Sequence, residues 1–355
     1  MSIIEDMPVE SFPFIVGWEL TLACNLRCQH CASSAGKRRP TELTTNEALG
    51  LCDQFPDLLV QEVDFTGGEP LIRKDWERIV SRVSELGIRT KLVTNGTRVT
   101  DRVACRMRKA GLTAVGVSID GLAATHDRIR GAAGLFAQSI AGLDRLLAAG
   151  LPVTAITTVN ALNIGELDML LDLLIKHHVP RWQVQPLFGL GRSRETPELF
   201  LDESDFMRLG TFVQRTTPSA NEQGLEILTG DSFGYFSEFD SQDAPWRGCG
   251  AGIVSCGITS DGKVKGCLAL PDIFVEGNLK ERDLWDIWFD PNSFTFTRNF
   301  TKNQLGGNCQ GCLWGEQCQG GCTAMSYAST GSCHNDPYCF HRLSSPLANV
   351  DDWCH

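Results

Sequence analysis

Residues 12–31 read FPFIVGWELTLACNLRCQHC, an apolar run with the composition of a β-strand that is followed at once by three cysteines. These are Cys24, Cys28 and Cys31, in the spacing C-x3-C-x2-C. In α/β folds, ligands gather in the loops that follow the carboxyl ends of parallel strands. The stretch therefore predicts a first strand that carries a ligand-binding loop.

The sequence beyond this loop alternates short β-rich runs with stretches of helical periodicity. Six runs are expected to be strands: 15–20, 62–67, 90–96, 114–120, 153–159 and 182–188. The main stretches with helical spacing are 74–87, 100–111, 136–150, 164–178 and 202–215. This repetition predicts parallel strands with right-handed crossovers. A closed barrel and an open doubly wound sheet share the pattern, but six units with chemistry at the strand ends favour an α/β fold with a partial (β/α)6 TIM-like barrel.

A change in composition near residue 240 predicts a domain boundary. The expected segments are an N-terminal segment (1–13), the partial barrel (14–240), a cysteine-rich domain (241–345) and a C-terminal tail (346–355). Within the third segment, residues 257–267 read GITSDGKVKGC. The flanks alternate around Asp261 and Gly262, so we expect a β-hairpin that turns at these two residues.

The composition is that of a soluble globular protein. The chain has 355 residues, of which 42% are hydrophobic and 21% charged, and its formal net charge is -11. That charge disfavours attraction to nucleic acid or to anionic lipid. No apolar run approaches the ~20 residues that cross a bilayer, and the start lacks the features of a signal peptide. We expect a cytoplasmic protein with no nucleic-acid or membrane partner.

Cysteine is the unusual residue type, with 15 copies, ten of them beyond residue 248. An odd number in a chain without a signal peptide favours metal ligation over disulfides. Structural zinc and most [4Fe-4S] clusters take four ligands, whereas the loop at Cys24, Cys28 and Cys31 offers three thiols. A four-iron cluster held there would keep one iron open for a substrate or cofactor. The alternative is a zinc knuckle completed by His30 or by a remote residue.

The C-x3-C-x2-C loop after the first strand resembles the signature of the radical S-adenosylmethionine (SAM) enzymes, in which SAM chelates the fourth iron. FTGGEP at 65–70 resembles the family's GGEP motif, which implies that Gly67, Gly68, Glu69 and Pro70 hold the SAM amino group. TNGT and SIDG end the third and fourth strands. By the same resemblance, the SAM pocket is lined by Asn95, Ser118 and Asp120, and the SAM carboxylate pairs with Arg130.

The C-terminal cysteines resemble the seven-cysteine motif of the SPASM domain, which typically holds two auxiliary [4Fe-4S] clusters. The resemblance implies an inner cluster on Cys249, Cys256, Cys267 and Cys322, and an outer cluster on Cys309, Cys312, Cys318 and Cys339. Cys333 competes with Cys339 for the last place, and the spacing favours Cys339. The cysteines expected not to be ligands are Cys52, Cys105, Cys333 and Cys354. Two zinc ribbons are the alternative for this array.

Three stretches, at 18–44, 228–233 and 249–267, resemble the peptide-maturase branch of the family, which includes the mycofactocin maturases. The resemblance implies a radical SAM oxidoreductase of the RiPP maturase type, with three [4Fe-4S] clusters, that oxidises or crosslinks a ribosomal precursor peptide. Sulfatase maturases carry an acid where this chain has Leu268, so that branch is disfavoured. The implied partners are the peptide, a flavodoxin or ferredoxin, and a separate leader-binding protein, because only about 13 residues precede the first strand.

Other functions stay open at this point. A dehydrogenase or epimerase that acts on a protein side chain or a small molecule would use the same cofactors, and a zinc-binding scaffold would use neither cluster nor SAM. No residue is identified as an acid, a base or a hydrogen donor.

Overall fold

The computed structural model describes residues 11–230, 233–237, 239 and 246–344, and it contains one mixed sheet of ten strands. The strands are β1 Ile15–Thr21, β2 Glu62–Gly67, β3 Arg89–Thr94, β4 Ala114–Ser118, β5 Val153–Val159, β6 Arg181–Pro186, β7 Glu226–Thr229, β8 Ser255–Ile258, β9 Lys263–Lys265 and β10 Gly277–Asn278. All six predicted strands are present, within one or two residues of their expected bounds.

Twelve α-helices accompany the sheet in the part of the chain that is described. They are α1 Thr45–Gln54, α2 Trp76–Glu85, α3 Asp101–Lys109, α4 Ala123–Arg130, α5 Leu135–Ala148, α6 Leu167–Lys176, α7 Glu203–Glu222, α8 Leu284–Trp288, α9 Thr295–Arg298, α10 Gly315–Cys318, α11 Thr323–Thr330 and α12 Phe340–Ser344.

Polar caps define where several of these helices begin. Thr44 and Glu47 form a reciprocal capping box at the start of α1. The side chain of Thr100 accepts a hydrogen bond at the start of α3, and that of Asp202 does so at the start of α7. Each cap satisfies a backbone N–H that the first turn of a helix leaves unpaired.

The strand order is β10-β9-β8-β1-β2-β3-β4-β5-β6-β7. Strands β1 to β7 pair in parallel with their neighbours, as the βα repeat predicts, and the partial (β/α)6 barrel is confirmed. The sheet extends further than six strands, because β7 adds a seventh parallel strand. β7 has four residues, of which Ile227 alone is buried, so its sequence gives little strand signal.

The cysteine-rich segment continues the barrel sheet. β8 and β9 form the predicted hairpin, and Gly262 at its turn has φ 88°. β8 also pairs in parallel with β1, with Ile15 opposite Ser255, so the hairpin is joined to the barrel by backbone hydrogen bonds. We expect the domain boundary near residue 240. Residues 240–245 are outside the described residues, so the position of the boundary stays a prediction.

The main core lies between the parallel strands and the helices. Trp18 on β1 is fully buried, with its ring 6.0 Å from that of Phe55 and 5.7 Å from that of Phe65. Side chains of this size contribute roughly 1.5–3 kcal/mol each when buried. Because β1 has a neighbour on each side, this packing fixes the strand from which the cysteine loop emerges.

Gly257 on β8 permits the close approach of the hairpin's return segment. A Cβ atom there would collide with the backbone of Cys267 and Leu268. We expect Gly257→Ala to destabilise the fold by about 1–3 kcal/mol, the usual cost of overpacking. Gly307→Ala is the matched control, since no neighbouring atom of the described residues lies within 4 Å of the Cβ it would add. Urea denaturation followed by circular dichroism would measure both, and equal midpoints would contradict the packing argument.

Candidate active site

A cavity of about 570 Å³ lies at the carboxyl ends of the barrel strands. Most of the predicted SAM-site and cluster residues line it: Cys24, Cys28, Cys31, Gly67, Gly68, Asn95, Ser118 and Arg130. The opposite wall is formed by 187–191 after β6 and by 268–272 after the hairpin. The cavity is thus shared by the barrel and the cysteine-rich segment.

The cysteine loop is closed onto the end of β1 by a buried carboxylate. Gly36 N donates to Leu22 O, and Cys24 N donates to Gly36 O, so the loop returns to its starting point. Glu42 accepts hydrogen bonds from Thr21 Oγ1 at 2.9 Å and from Leu22 N at 3.0 Å. The sequence analysis did not identify Glu42, which is 6% exposed and fixes the loop at its base.

Arg192 holds the same loop from the other side of the barrel. Its guanidinium donates to Cys28 O at 2.7 Å and to Ala35 O at 2.6 Å, and its backbone N donates to Cys31 O at 2.9 Å. The preceding Gly191 has φ 58°, and a Cβ atom there would collide with the loop carbonyls. No sequence signal distinguished this arginine from the exposed ones, because its role depends on contacts 157 residues or more away in the chain.

The three thiols of the loop are close enough to influence one another's ionisation. Burial raises the pKa of Cys24 to about 11, and the charges of Cys28 and Cys31 act in the same direction. Burial also raises the pKa of Cys28. Metal binding to these residues must therefore displace protons, which is the usual behaviour of thiolate ligands.

The glycines of the GGEP motif are required by the fold of the chain itself. Gly67 has φ 151°, and a Cβ atom there would collide with the carbonyl of Thr21. A Cβ atom at Gly68 would collide with the carbonyl of Ala23. Both glycines also line the cavity. The close approach to β1 explains their small size independently of any ligand.

Glu69 and Pro70 lie behind the cavity wall rather than on it. The Glu69 carboxylate is fully buried and accepts from Thr94 Oγ1 at 2.8 Å, Asn95 N at 2.9 Å and Leu71 N at 3.2 Å. Burial raises its pKa, while these hydrogen bonds oppose the shift. In this structure Glu69 ties the end of β2 to the end of β3. Its expected contact with the SAM amino group stays a prediction.

Asp120 is not among the residues that line the cavity, and its expected place in the SAM pocket stays a prediction. Its carboxylate is 1% exposed and binds Arg130 Nη2 at 2.5 Å, His30 Nε2 at 3.1 Å and Thr158 N at 3.0 Å. Burial alone would raise the pKa of Asp120, but Arg130 and His30 hold it well below its usual value. The carboxylate is drawn inward because it is the counter-charge of a buried guanidinium.

Arg130 reaches the cavity with one edge of its guanidinium. Nη1 lies 3.8 Å from Cys28 Sγ, while Nε donates to Asp120 at 2.7 Å. An arginine held in this way presents a fixed positive charge beside the cysteine loop. His30, on the loop itself, pairs with Asp120 and lines the cavity, and no atom of the described residues is hydrogen-bonded to its Nδ1.

The outer set of C-terminal cysteines is expected at Cys309, Cys312, Cys318 and Cys339. Burial raises the pKa of Cys318 to about 12, and the charges of Cys339, Cys309 and Cys312 act in the same direction. Burial raises the pKa of Cys309 to about 11, and the charges of Cys339 and Cys312 act in the same direction. These four thiols are neighbours, although their role as ligands of one cluster stays a prediction.

The inner set spans two groups of buried residues. Burial raises the pKa of Cys322, and the charges of Cys249 and Cys267 act in the same direction. Cys256 lies in the main core on β8, where burial raises its pKa and the charge of Cys267 adds to the shift. Burial also raises the pKa of Cys333 to about 11, and the charge of Cys249 adds to that shift. Cys267 thus acts on both Cys256 and Cys322, and the role of the inner set as ligands of one cluster stays a prediction.

The remaining cysteines differ in exposure. Cys52 is fully buried on α1 and donates to Ala48 O, whereas Cys105 is exposed on α3. Cys354 lies outside the described residues. Across the described parts of the chain, no three or more His, Cys, Asp or Glu side chains are gathered closely enough to hold a single metal ion.

Comparison with known families identifies the two parts of the chain. Residues 18–174 match the radical SAM superfamily, and residues 249–313 match an iron-sulfur cluster-binding domain, SPASM. A relative described as AdoMet-dependent heme synthase, from Methanosarcina barkeri, is 32% identical over 93% of this chain and 97% of its own. The chain belongs to the radical SAM superfamily. The resemblance inferred from the cysteine and GGEP motifs is confirmed, and this radical SAM protein is an enzyme.

Other relatives carry different names. Mycofactocin maturase MftC of Mycobacterium tuberculosis is 32% identical to this radical SAM enzyme over 94% of this chain and 84% of its own. Among solved structures, Streptococcus suis SuiB bound to S-adenosylmethionine has a TM-score of 0.73 at 22% identity, and covers 88% of this chain and 74% of its own. A second structure, anSMEcpe with bound AdoMet and Kp18Cys peptide, has a TM-score of 0.74 at 16% identity. That match covers 94% of this chain and 95% of anSMEcpe. The structural likenesses establish the fold.

Within the described part of the chain, no helix is both long and apolar enough to cross a membrane.

The Asp120–Arg130 pair yields a prediction about stability. Asp120→Asn leaves a buried guanidinium without its counter-charge, so we expect a loss of about 3–5 kcal/mol of folding free energy. Asp168→Asn is the control, because its pair with Arg215 is exposed and contributes little. Denaturant titration at neutral pH measures the difference.

The same pair predicts a pH dependence. Because the folded-state pKa of Asp120 is depressed, its stabilisation is fully present above the unfolded value of ~4 and is lost as the pH falls below it. The wild-type protein should lose this stability in acid, and Asp120→Asn should lose less over the same range. Parallel pH profiles for the two proteins would contradict the assignment.

Proposed function

We propose that this enzyme is a radical SAM peptide maturase that oxidises or crosslinks a ribosomal precursor peptide. The observation that carries the proposal is the shared cavity, which runs from the three cysteines of the open site to the segment after the SPASM hairpin. The relatives named mycofactocin maturase, at 30–32% identity over most of the chain, favour a peptide among the substrates of this superfamily.

The residues present fit the cofactors that the family implies. Three thiols face the cavity beside a fixed arginine, and the orphaned Nδ1 of His30 offers one further polar contact there. When bound, the cluster and SAM supply a 5'-deoxyadenosyl radical, which removes a hydrogen atom from a substrate carbon. We propose [4Fe-4S] clusters at three places: the loop at Cys24–Cys31, the inner cysteine set and the outer cysteine set.

The size and lining of the cavity are compatible with a bound small molecule. Drug-sized ligands occupy pockets of ~300–1,000 Å³, and SAM is a ligand of that size. The cavity of about 570 Å³ falls in this range. Its wall is apolar at Leu187, Phe188 and Leu268, which suits an apolar side chain of a substrate.

A tetrapyrrole carboxylate is the second candidate substrate. It is favoured by the relatives named AdoMet-dependent heme synthase, whose identity of 30–32% equals that of the maturases. A flavodoxin or ferredoxin as electron donor, and a separate leader-binding protein, complete the proposed set of partners.

The open site can be tested apart from the auxiliary sites. We expect the triple variant Cys24→Ala/Cys28→Ala/Cys31→Ala to lose 5'-deoxyadenosine formation from SAM and dithionite while it keeps about eight iron atoms, those of two four-iron clusters. Cys105→Ala is the control, because this exposed helix residue is distant from every cysteine set in sequence. SAM cleavage that persists in the triple variant would refute the site.

The two candidate substrates are separated by one further experiment. The enzyme is co-expressed with each short open reading frame beside its gene, and the peptides are weighed by mass spectrometry. In parallel, the reconstituted enzyme is incubated with SAM, dithionite and iron coproporphyrin III, and the absorption spectrum is followed. We expect a mass change in a peptide and an unchanged porphyrin. The reverse pattern would replace the peptide proposal with the tetrapyrrole one.

A further inference from the structure

We propose that Arg192 is a positioning residue for the open cluster, and that its buried positive charge favours the one-electron reduction of that cluster. The inference rests on the proposed function to the extent that Cys24, Cys28 and Cys31 hold a [4Fe-4S] cluster. Arg192 follows β6, outside the motifs that the sequence analysis considered.

Arg192 binds the loop through main-chain oxygens only. It donates to the carbonyls of two cysteine ligands, Cys28 through the side chain and Cys31 through the backbone, and to that of Ala35. Arg192 is 8% exposed. It is not among the residues that line the cavity, so it lies behind the loop and does not compete with SAM.

The turn that carries Arg192 is itself held in place. The side chain of Ser193 is fully buried, and its Oγ lies 2.8 Å from Phe188 O and 2.7 Å from Leu190 O, so its one proton is shared between the two carbonyls. Phe188, Leu190 and Gly191 belong to the cavity wall. Arg192 thus joins the cluster loop to the wall that faces the substrate.

The charge of Arg192 lacks a carboxylate partner. Among the residues described, Arg130 pairs with Asp120 and Arg39 with Glu19, but no acidic side chain forms an ion pair with Arg192. Burying an unpaired ion costs several kcal/mol unless another charge compensates it. The guanidinium is hydrogen-bonded to the cysteine loop, and three thiolates of that loop around an iron cluster would supply the compensating charge.

Charge balance gives the direction of the effect. An oxidised [4Fe-4S]²⁺ core with three thiolates has a net charge of minus one, and one electron from a low-potential donor makes it minus two. A nearby cation in a medium of low dielectric constant stabilises the second state more than the first. Charge and hydrogen bonding are among the factors that set the potentials of such clusters. Arg192 should therefore raise the potential of the open cluster.

The test is a potentiometric titration of the reconstituted protein, in which dithionite is the reductant. Electron paramagnetic resonance follows the cluster whose signal responds to SAM. In Arg192→Gln, which keeps N–H donors without the charge, we expect the ratio of reduced to oxidised cluster at a fixed potential to fall about tenfold, equivalent to 59 mV. Arg192→Lys keeps the charge and should remain near the wild type. Iron content is measured for each variant.

Arg38→Gln is the matched control, because Arg38 lies on the same loop but is exposed and paired with Glu42. A wild-type potential in Arg192→Gln would overturn the proposal. So would an equal shift, or an equal loss of iron, in Arg192→Lys and Arg192→Gln, because geometry alone would then explain the residue. The potential is measured without any substrate, so a failure of the peptide assignment would leave this result intact.

Discussion

The position of β1 between two parallel neighbours is the constraint on which the site depends. β2 pairs with it on one side and β8 on the other, so its backbone is hydrogen-bonded along both edges. The loop with three cysteines starts where this pairing ends, and Glu42 closes its base. A loop that follows a central strand begins at a defined point. A site that holds a cluster and a cofactor together needs such a fixed starting point.

Buried charges then organise the space around that loop. Four acidic side chains near it are almost fully buried, and each is satisfied: Glu19, Glu42, Glu69 and Asp120. Glu19 links the barrel to the hairpin, since it accepts from Ser260 Oγ at 2.7 Å and from Arg39 Nε at 2.9 Å. Polar groups that are buried at such cost persist because each joins two strand ends or a strand and a loop. Glu42, Glu69 and Asp120 are not among the residues that line the cavity, whereas Glu19 does line it.

The fold, and the position of Cys24, Cys28 and Cys31 at the cavity, could be predicted from the sequence because both depend on local patterns. Strand bounds follow from apolar runs, and the three cysteines follow from one short motif. Contacts between distant parts of the chain could not be predicted in this way. Nothing in the sequence distinguishes Arg192 from exposed arginines, because its contacts with the cysteine loop are tertiary, and the burial of Asp120 against Arg130 is tertiary as well. The pairing of the short β7 with β6 and of β8 with β1 could not be predicted for the same reason.

The continuity of the sheet also bears on how the two cysteine-rich regions cooperate. The hairpin β8–β9 lies in the same sheet as β1, and Cys267 follows it directly. Lys265 on β9 donates to the carbonyls of Leu268 and Leu270, which shapes the segment that lines the cavity. One hairpin therefore carries both an expected auxiliary ligand and part of the substrate-facing wall. Backbone pairing between β1 and β8 therefore fixes the hairpin relative to the cysteine loop, and the segment that follows Cys267 lines the same cavity as that loop.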